Sequence, residues 1–123
     1  IEKFEKGYNT ILGERGVTLS GGQAQRISIA RSFIKDSEIY LFDDCFSSLD
    51  SDTEDRILKN LKNNFQNKTL IIISHRVSCV KHADNIIVLD KGKIIQNGSH
   101  NELLKKEGHY RDLYHKQNSE IND

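Results

Sequence analysis

The sequence has no proline, only two cysteines, no excess of either charge and no long apolar run. The missing proline carries no structural conclusion, because Lys, Asn and Ile are so abundant that codon bias accounts for it. Cys45 and Cys79 stand far apart, without a C-x-x-C or a Cys/His ligand spacing. That excludes a disulfide scaffold and a zinc site, and it fits a reducing compartment. Eighteen basic residues balance eighteen acidic ones, so no global field draws the chain to nucleic acid or to an anionic membrane. No apolar stretch approaches the roughly 20 residues that cross a bilayer, and no charged-then-apolar leader opens the sequence. Membrane association is therefore expected to be indirect.

What is present is a globular composition, 36% hydrophobic and 29% charged, far from disordered or membrane-spanning sequences. A length of 123 residues holds one small domain, or a piece of a larger one, with a modest core. Residues 1–18 mix charge with Gly7, Gly13 and Gly16 and read as a helix end followed by a loop, so the chain is expected to start mid-domain. Ser20 then caps a predicted helix over about 21–34, whose apolar face is expected at Ala24, Ile27, Ala30, Phe33 and Ile34.

Two short apolar runs follow: Ile39-Tyr40-Leu41-Phe42, closed by Asp43-Asp44, and Thr69-Leu70-Ile71-Ile72-Ile73, closed by Ser74-His75. Continuous runs of this kind suit strands buried on both faces. Between them Ile57, Leu58, Leu61 and Phe65 recur at helical spacing over about 51–65, which completes a β-α-β unit. Residues 86–89 and 93–96 flank Asp90-Lys91-Gly92, the signal of a hairpin. The tail from 99 to 117 predicts one or two short helices capped at Ser99 or Asn101. The fold class is α/β, a mainly parallel sheet with flanking helices.

Leu19-Ser20-Gly21-Gly22-Gln23 stands at a helix start, where exposed N–H groups and the positive dipole end suit a phosphate, and two glycines allow close approach. Ser20 alone reads as an ordinary helix cap; the five residues together read as a ligand loop. Asp43 ends a strand, where ligand-binding residues of parallel α/β sheets gather, although a bare Asp-Asp pair is equally a turn. His75 on its own is a satisfied histidine at a strand end, and His82, His100, His109 and His115 read as solvated.

LSGGQ, continued by Ala24-Gln25-Arg26 and Ile29-Ala30-Arg31, resembles the signature of ATP-binding cassette (ABC) ATPases. The resemblance implies that residues 19–23 contact the γ-phosphate of ATP held by a second ABC ATPase domain, in a head-to-tail homodimer or heterodimer. The run ending at Asp43 resembles a Walker B motif, which implies a Mg²⁺ ligand at Asp43. The next position is usually glutamate in active members, where it polarises the attacking water, and here it is Asp44. A carboxylate drawn back by roughly 1.5 Å costs on the order of a hundredfold in rate where geometry is tight, so this site is expected to be slow or degenerate. Residues 47–50 resemble the D-loop, with Asp50 facing the opposite site or capping the following helix. Residues 72–76 resemble the switch-histidine loop, implying that His75 donates to the γ-phosphate.

Thr10-Ile11-Leu12-Gly13-Glu14-Arg15-Gly16 resembles the X-loop of ABC exporters, which implies that Glu14 and Arg15 touch the coupling helices of a transmembrane domain. No G-x-x-x-x-G-K-[ST] string occurs, and the glutamine loop and adenine-stacking aromatic are also missing. The chain is thus expected to be the C-terminal half of one ABC domain: 1–35 the end of the helical subdomain, 36–98 the catalytic loops and strands, 99–123 the terminal helices. The full protein is expected to be an ATPase with ATP and Mg²⁺ as cofactors, at the cytoplasmic face of a membrane, without nucleic acid, and the segment alone to be inactive. A soluble ABC ATPase of nucleic-acid maintenance or translation, or a non-catalytic regulatory ABC domain, are the other readings.

Overall fold

In the computed structural model, residues 1–13, 16–65 and 67–119 are described. The first apolar run forms β1, Ile39–Asp43, and the second forms β2, Thr69–Ile73. They pair in parallel from Ile39↔Thr69 to Asp43↔Ile73. Because side chains alternate along a strand, Tyr40 and Phe42 share one face with Leu70 and Ile72, and Ile39 and Leu41 share the other with Ile71 and Ile73. The first face packs on the core, which gathers Ile29, Phe46, Leu49, Leu58, Leu61 and Cys79 around those residues. Phe33 and Phe65 close it, with ring centroids 4.7 Å apart.

The second face departs from the expected two-sided burial: Ile39, Leu41, Ile71 and Ile73 are all exposed. A parallel sheet ordinarily carries a layer on each side. Among the described residues helices cover only one.

The parallel connection requires a crossover, and α2, Ser51–Asn64, supplies it. Asp50 caps it by accepting from the Thr53 N–H at 2.9 Å, and Asp52 and Glu54 in the first turn complement the helix dipole. Its buried stripe is Glu54, Leu58 and Leu61. Glu54 is a carboxylate only 2% exposed, and the Nη1 of Arg76 lies 2.8 Å from its Oε2. That oxygen accepts no aligned hydrogen bond among the described residues, so the contact is Coulombic rather than directional.

The Ser20-capped helix is α1, Gly21–Ser32, two residues shorter than expected, with Phe33 as its C-cap. Its inward face also differs from expectation. Ile29 is its one buried residue and Phe33 packs beside it, whereas Ile34 is 84% exposed and Ala24 and Ala30 are exposed. Apolar residues are spread around this helix, so periodicity alone does not select the side that packs. Residues 1–13 hold a 3₁₀ turn at Gly7–Asn9 in place of the expected helix end, followed by a loop closed by Val17 N donating to Ile11 O at 3.0 Å.

After β2 a short helix α3, Val77–Val80, leads to the hairpin of β3, Ile86–Asp90, and β4, Lys93–Gly98, which pair antiparallel. Lys91 and Gly92 both take positive φ, 46° and 74°, as a primed two-residue turn demands. Among the described residues the sheets are thus one parallel pair and one hairpin, with helices against them, an α/β arrangement. In the tail, Ser99 and Glu102 form a capping box on α4, His100–Lys105, and α5 follows at His109–Ser119. A second cluster of Val77, Ile86, Leu103 and Tyr110 joins α3, the hairpin and these helices, and Val80 touches both clusters.

His100, expected to be solvated, is half-buried, with Nδ1 2.8 Å from the Tyr110 hydroxyl. Burial holds its pKa below the ordinary histidine value, and burial pushes Tyr110 up to about 12. Both groups stay neutral, so the contact is a plain hydrogen bond. Replacing Arg76 by Met is expected to strand the Glu54 carboxylate and lower stability by about 3 kcal/mol. The double substitution Glu54→Leu with Arg76→Met should recover much of that loss. Urea unfolding of the variants measures both, and a double variant as unstable as the single one contradicts the assignment.

Candidate functional site

The Ser20 N-cap is extended, with φ −66° and ψ 158°, and its side chain and that of Gln23 close a reciprocal capping box. Gln23 N donates to Ser20 Oγ at 3.3 Å and Ser20 N donates to Gln23 Oε1 at 2.9 Å. The N–H groups of Gly21 and Gly22 find no acceptor among the described residues, so this helix end keeps free donors beside an exposed serine. Leu19 is half-buried behind it. Gly22 is small for a reason internal to the chain: a Cβ there would lie 2.9 Å from the carbonyl oxygen of Ser48. The helix start therefore rests directly on the 47–50 loop.

Asp43 is the last residue of β1, and its carboxylate is exposed and takes no hydrogen bond or ion pair among the described residues. Asp44 leaves the strand with φ 48°, a left-handed conformation that asparagine and aspartate tolerate better than most side chains. Three contacts hold it there. Its N–H donates to Ile73 O at 2.9 Å, extending the parallel ladder by one rung; Ser47 Oγ donates to its carbonyl at 3.1 Å; and its Oδ1 lies 3.3 Å from His75 Nδ1. The strands being parallel neighbours, both residues emerge at the same carboxyl edge. Asp44 and His75 remain open to solvent, 48% and 70% exposed, so a ligand can reach both.

The loop between them and α2 is fixed from two sides. Phe46 and Leu49 insert into the core, and Arg76 Nη1 makes long contacts to their carbonyls at 3.5 and 3.4 Å. Ser47 and Ser48 face outward, where Gln25 meets them: its Nε2 donates to Ser47 Oγ at 3.0 Å and its Oε1 accepts from Ser48 N at 2.9 Å. Asp50 is exposed, and the bond from Thr53 holds its carboxyl below the usual carboxylate range, so at neutral pH it caps α2 as an anion. On the histidine side, Gln117 of α5 spans the loop, donating to His75 O and accepting from Val77 N, each at 2.8 Å.

The structure thus brings Asp44 to His75 and sets the 47–50 loop against α1. No hydrogen bond or ion pair joins residues 19–23 to Asp43, Asp44 or His75 among the described residues. Glu14 and Arg15 lie outside the described residues. Two open surface depressions among the described residues, about 390 and 340 Å³, are lined by residues such as Lys62, Lys81 and His100, and Gln96, Leu103 and Glu107. Neither includes the motif residues.

No cluster of three or more His, Cys, Asp or Glu side chains suited to a metal occurs among the described residues. A lone, unpaired Asp43 fits Mg²⁺ shared with phosphate oxygens and water, since that ion is commonly held by one or two carboxylates and a substrate.

Gln25, Glu54, Arg76 and Gln117 went unassigned as positioning residues in the sequence. Only Glu54 left a trace there: it sits on the stripe of Leu58 and Leu61, a charge on the apolar face of an amphipathic helix.

A family described as ABC transporter matches residues 2–47. The chain is 50% identical over 117 residues to an ATP-dependent lipid A-core flippase of Desulfotalea psychrophila, covering 95% of this chain and 20% of that protein. It is likewise 50% identical over 117 residues to the probable multidrug resistance ABC transporter ATP-binding/permease protein YheI of Bacillus subtilis, again covering 95% of this chain and 20% of that protein. A solved bacterial Atm1-family ABC exporter with ATP bound superposes with a TM-score of 0.85 at 41% identity, over 94% of this chain and 20% of that one. The chain spans about a fifth of the length of these relatives. On these matches the chain belongs to the ABC transporter family, with relatives of the exporter kind.

Proposed function

We propose that this chain is the later half of the ATP-binding domain of an ABC exporter and that it serves two nucleotide sites at once. Residues 1–35 would end the helical subdomain, 36–98 would carry the catalytic edge, and 99–123 would close the domain. The observation that carries this reading is the pairing of Asp44 with His75, far apart in sequence and 3.3 Å apart at the open edge of two parallel strands. The freely exposed start of α1 supports its second half: the donors of residues 19–23 point to a ligand that this chain does not itself cradle. Ser20, Gly21 and Gly22 would meet the γ-phosphate of ATP on the partner domain, with Leu19 and Gln23 shaping the loop. Asp50 would face the partner's site while capping α2.

At the chain's own site Asp43 would hold Mg²⁺, which neutralises charge on the transferring phosphoryl group when bound. Asp44 would orient the attacking water and His75 would donate to a γ-phosphate oxygen, a placed donor of the kind that stabilises developing charge. Glu14 and Arg15 would meet a transmembrane domain, so that hydrolysis drives export at the cytoplasmic face of a membrane. No helix among the described residues is long and apolar enough to cross one. The bare face of Ile39, Leu41, Ile71 and Ile73 would be covered by the earlier half of the domain, together with the missing phosphate cradle.

Ser20→Asp keeps a capping oxygen but places a negative charge where phosphate is expected. In the full-length transporter it should cut ATP turnover about a hundredfold with an unchanged melting temperature, and unchanged turnover contradicts the reading of residues 19–23. Asp44→Glu should restore reach and raise turnover roughly tenfold in the same assay; equal or lower turnover speaks against a slow site. The isolated 123-residue chain should neither bind Mg-ATP at micromolar concentration nor turn it over, as a calorimetric titration with phosphate release would establish.

A further inference from the structure

The contacts of Gln25 form a path that the function of residues 19–23 and 43–44 does not by itself require. One end of its amide donates to Ser47 Oγ at 3.0 Å, and Ser47 Oγ donates in turn to the carbonyl of Asp44 at 3.1 Å. The other end accepts from Ser48 N at 2.9 Å. Gly22, one helical turn before Gln25, lies so close to Ser48 that a methyl group would collide with its carbonyl oxygen. The helix start and the loop therefore fit only as one unit. Asp44 gains from such support, because φ 48° still costs a non-glycine residue energy that surrounding bonds offset.

We propose that Gln25 is a positioning residue that ties the signature helix to Asp44 within one chain, so that the face offered to the neighbour's ATP and the carboxylate of this chain's own site move together. This rests on the function proposed above. The direction of the hydrogen bonds makes the idea specific. A serine hydroxyl has one proton; Ser47 donates it to the Asp44 carbonyl and accepts a hydrogen bond from Gln25 at its oxygen. A carboxylate at position 25 has no proton to give. It would still accept from Ser48 N, but it would draw the Ser47 proton to itself and leave the Asp44 carbonyl without its donor. Gln25→Glu is thus nearly isosteric, preserves the clamp on Ser48 and breaks only the relay. Ser47→Ala breaks the same relay from the other end and removes an exposed hydroxyl, a change that the fold tolerates.

The experiment uses the full-length transporter carrying Gln25→Glu or Ser47→Ala, each alone and combined with Asp44→Glu, and measures kcat, KM for Mg-ATP and melting temperature. Both single variants should lower kcat about tenfold while KM stays within about twofold and melting is unchanged. Either should also abolish the response of kcat to Asp44→Glu, the non-additivity of groups joined in one hydrogen-bond network, at an unchanged melting temperature that a merely structural role would lower. Unchanged kcat, additive effects with Asp44→Glu, or a loss of activity that tracks a loss of melting temperature overturns the proposal. Ser20→Asp in parallel separates the two failures. If it abolishes turnover while Gln25→Glu does not, only the coupling through Gln25 fails; if it has no effect, the underlying reading of the signature loop fails.

Discussion

The register of the parallel ladder between β1 and β2 decides both the core and the chemistry, because side chains on a strand alternate and a slip of one residue would exchange every face. With Tyr40 opposite Leu70 and Phe42 opposite Ile72, the aromatic side chains enter the core against α1 and α2. The same register carries the ladder one rung past the strand, from Asp44 N to Ile73 O, and that rung sets Asp44 beside His75. A shifted pairing would expose Phe42 and separate the carboxylate from the imidazole in one step. Burial of apolar surface thus enforces a distance between two polar groups that have little attraction of their own at an exposed edge.

The loops leaving that edge would otherwise be free to move, and three side chains restrain them. Arg76 reaches under the 46–49 turn toward the buried Glu54, Gln25 holds the outer side of the same turn, and Gln117 holds the backbone on both sides of Arg76. Each restraint comes from a different helix or loop. Cys79 lies in the same interior, and burial pushes its thiol up, with the nearby Glu54 charge adding to the shift, so it packs as a neutral group. The polar members of this interior serve position, and the apolar members around them supply the cohesion.

Much of this was legible from the residues. Continuous apolar runs marked β1 and β2 because strands packed on a core need little else, and Ser20, Asp50 as one of its two readings, and Ser99 as one of two candidate caps marked helix starts because a capping oxygen has a fixed place relative to the first turn. The Asp90-Lys91-Gly92 string marked the hairpin because a primed turn demands positive φ. Three things were not legible. The inner face of α1 is obscured by apolar residues on every side, so Ile34 reads as an inward residue and yet stands exposed. Two-sided burial of the strands depends on a layer that these residues do not supply. The amide clamps of Gln25 and Gln117 join positions 22 to 42 residues apart, and a glutamine on a helix surface looks the same whether it meets water or a loop. Glu54 alone left a trace, a charge on the apolar stripe of its helix, though only the structure shows what it meets.

Asp44 is pulled in two directions that can be weighed. Its φ of 48° favours a short polar side chain over a longer one, and a residue less suited to that conformation costs roughly 1 kcal/mol. On the function proposed above, reach acts the other way: a hundredfold in rate corresponds to about 2.7 kcal/mol of barrier, so extending the carboxylate by one methylene would outweigh the backbone cost. At 3.3 Å from Nδ1 of His75, the present carboxylate is already directed at the imidazole. Backbone preference therefore explains how aspartate is accommodated here, and on the function proposed above reach, the stronger of the two effects, would make accommodation and full activity part company.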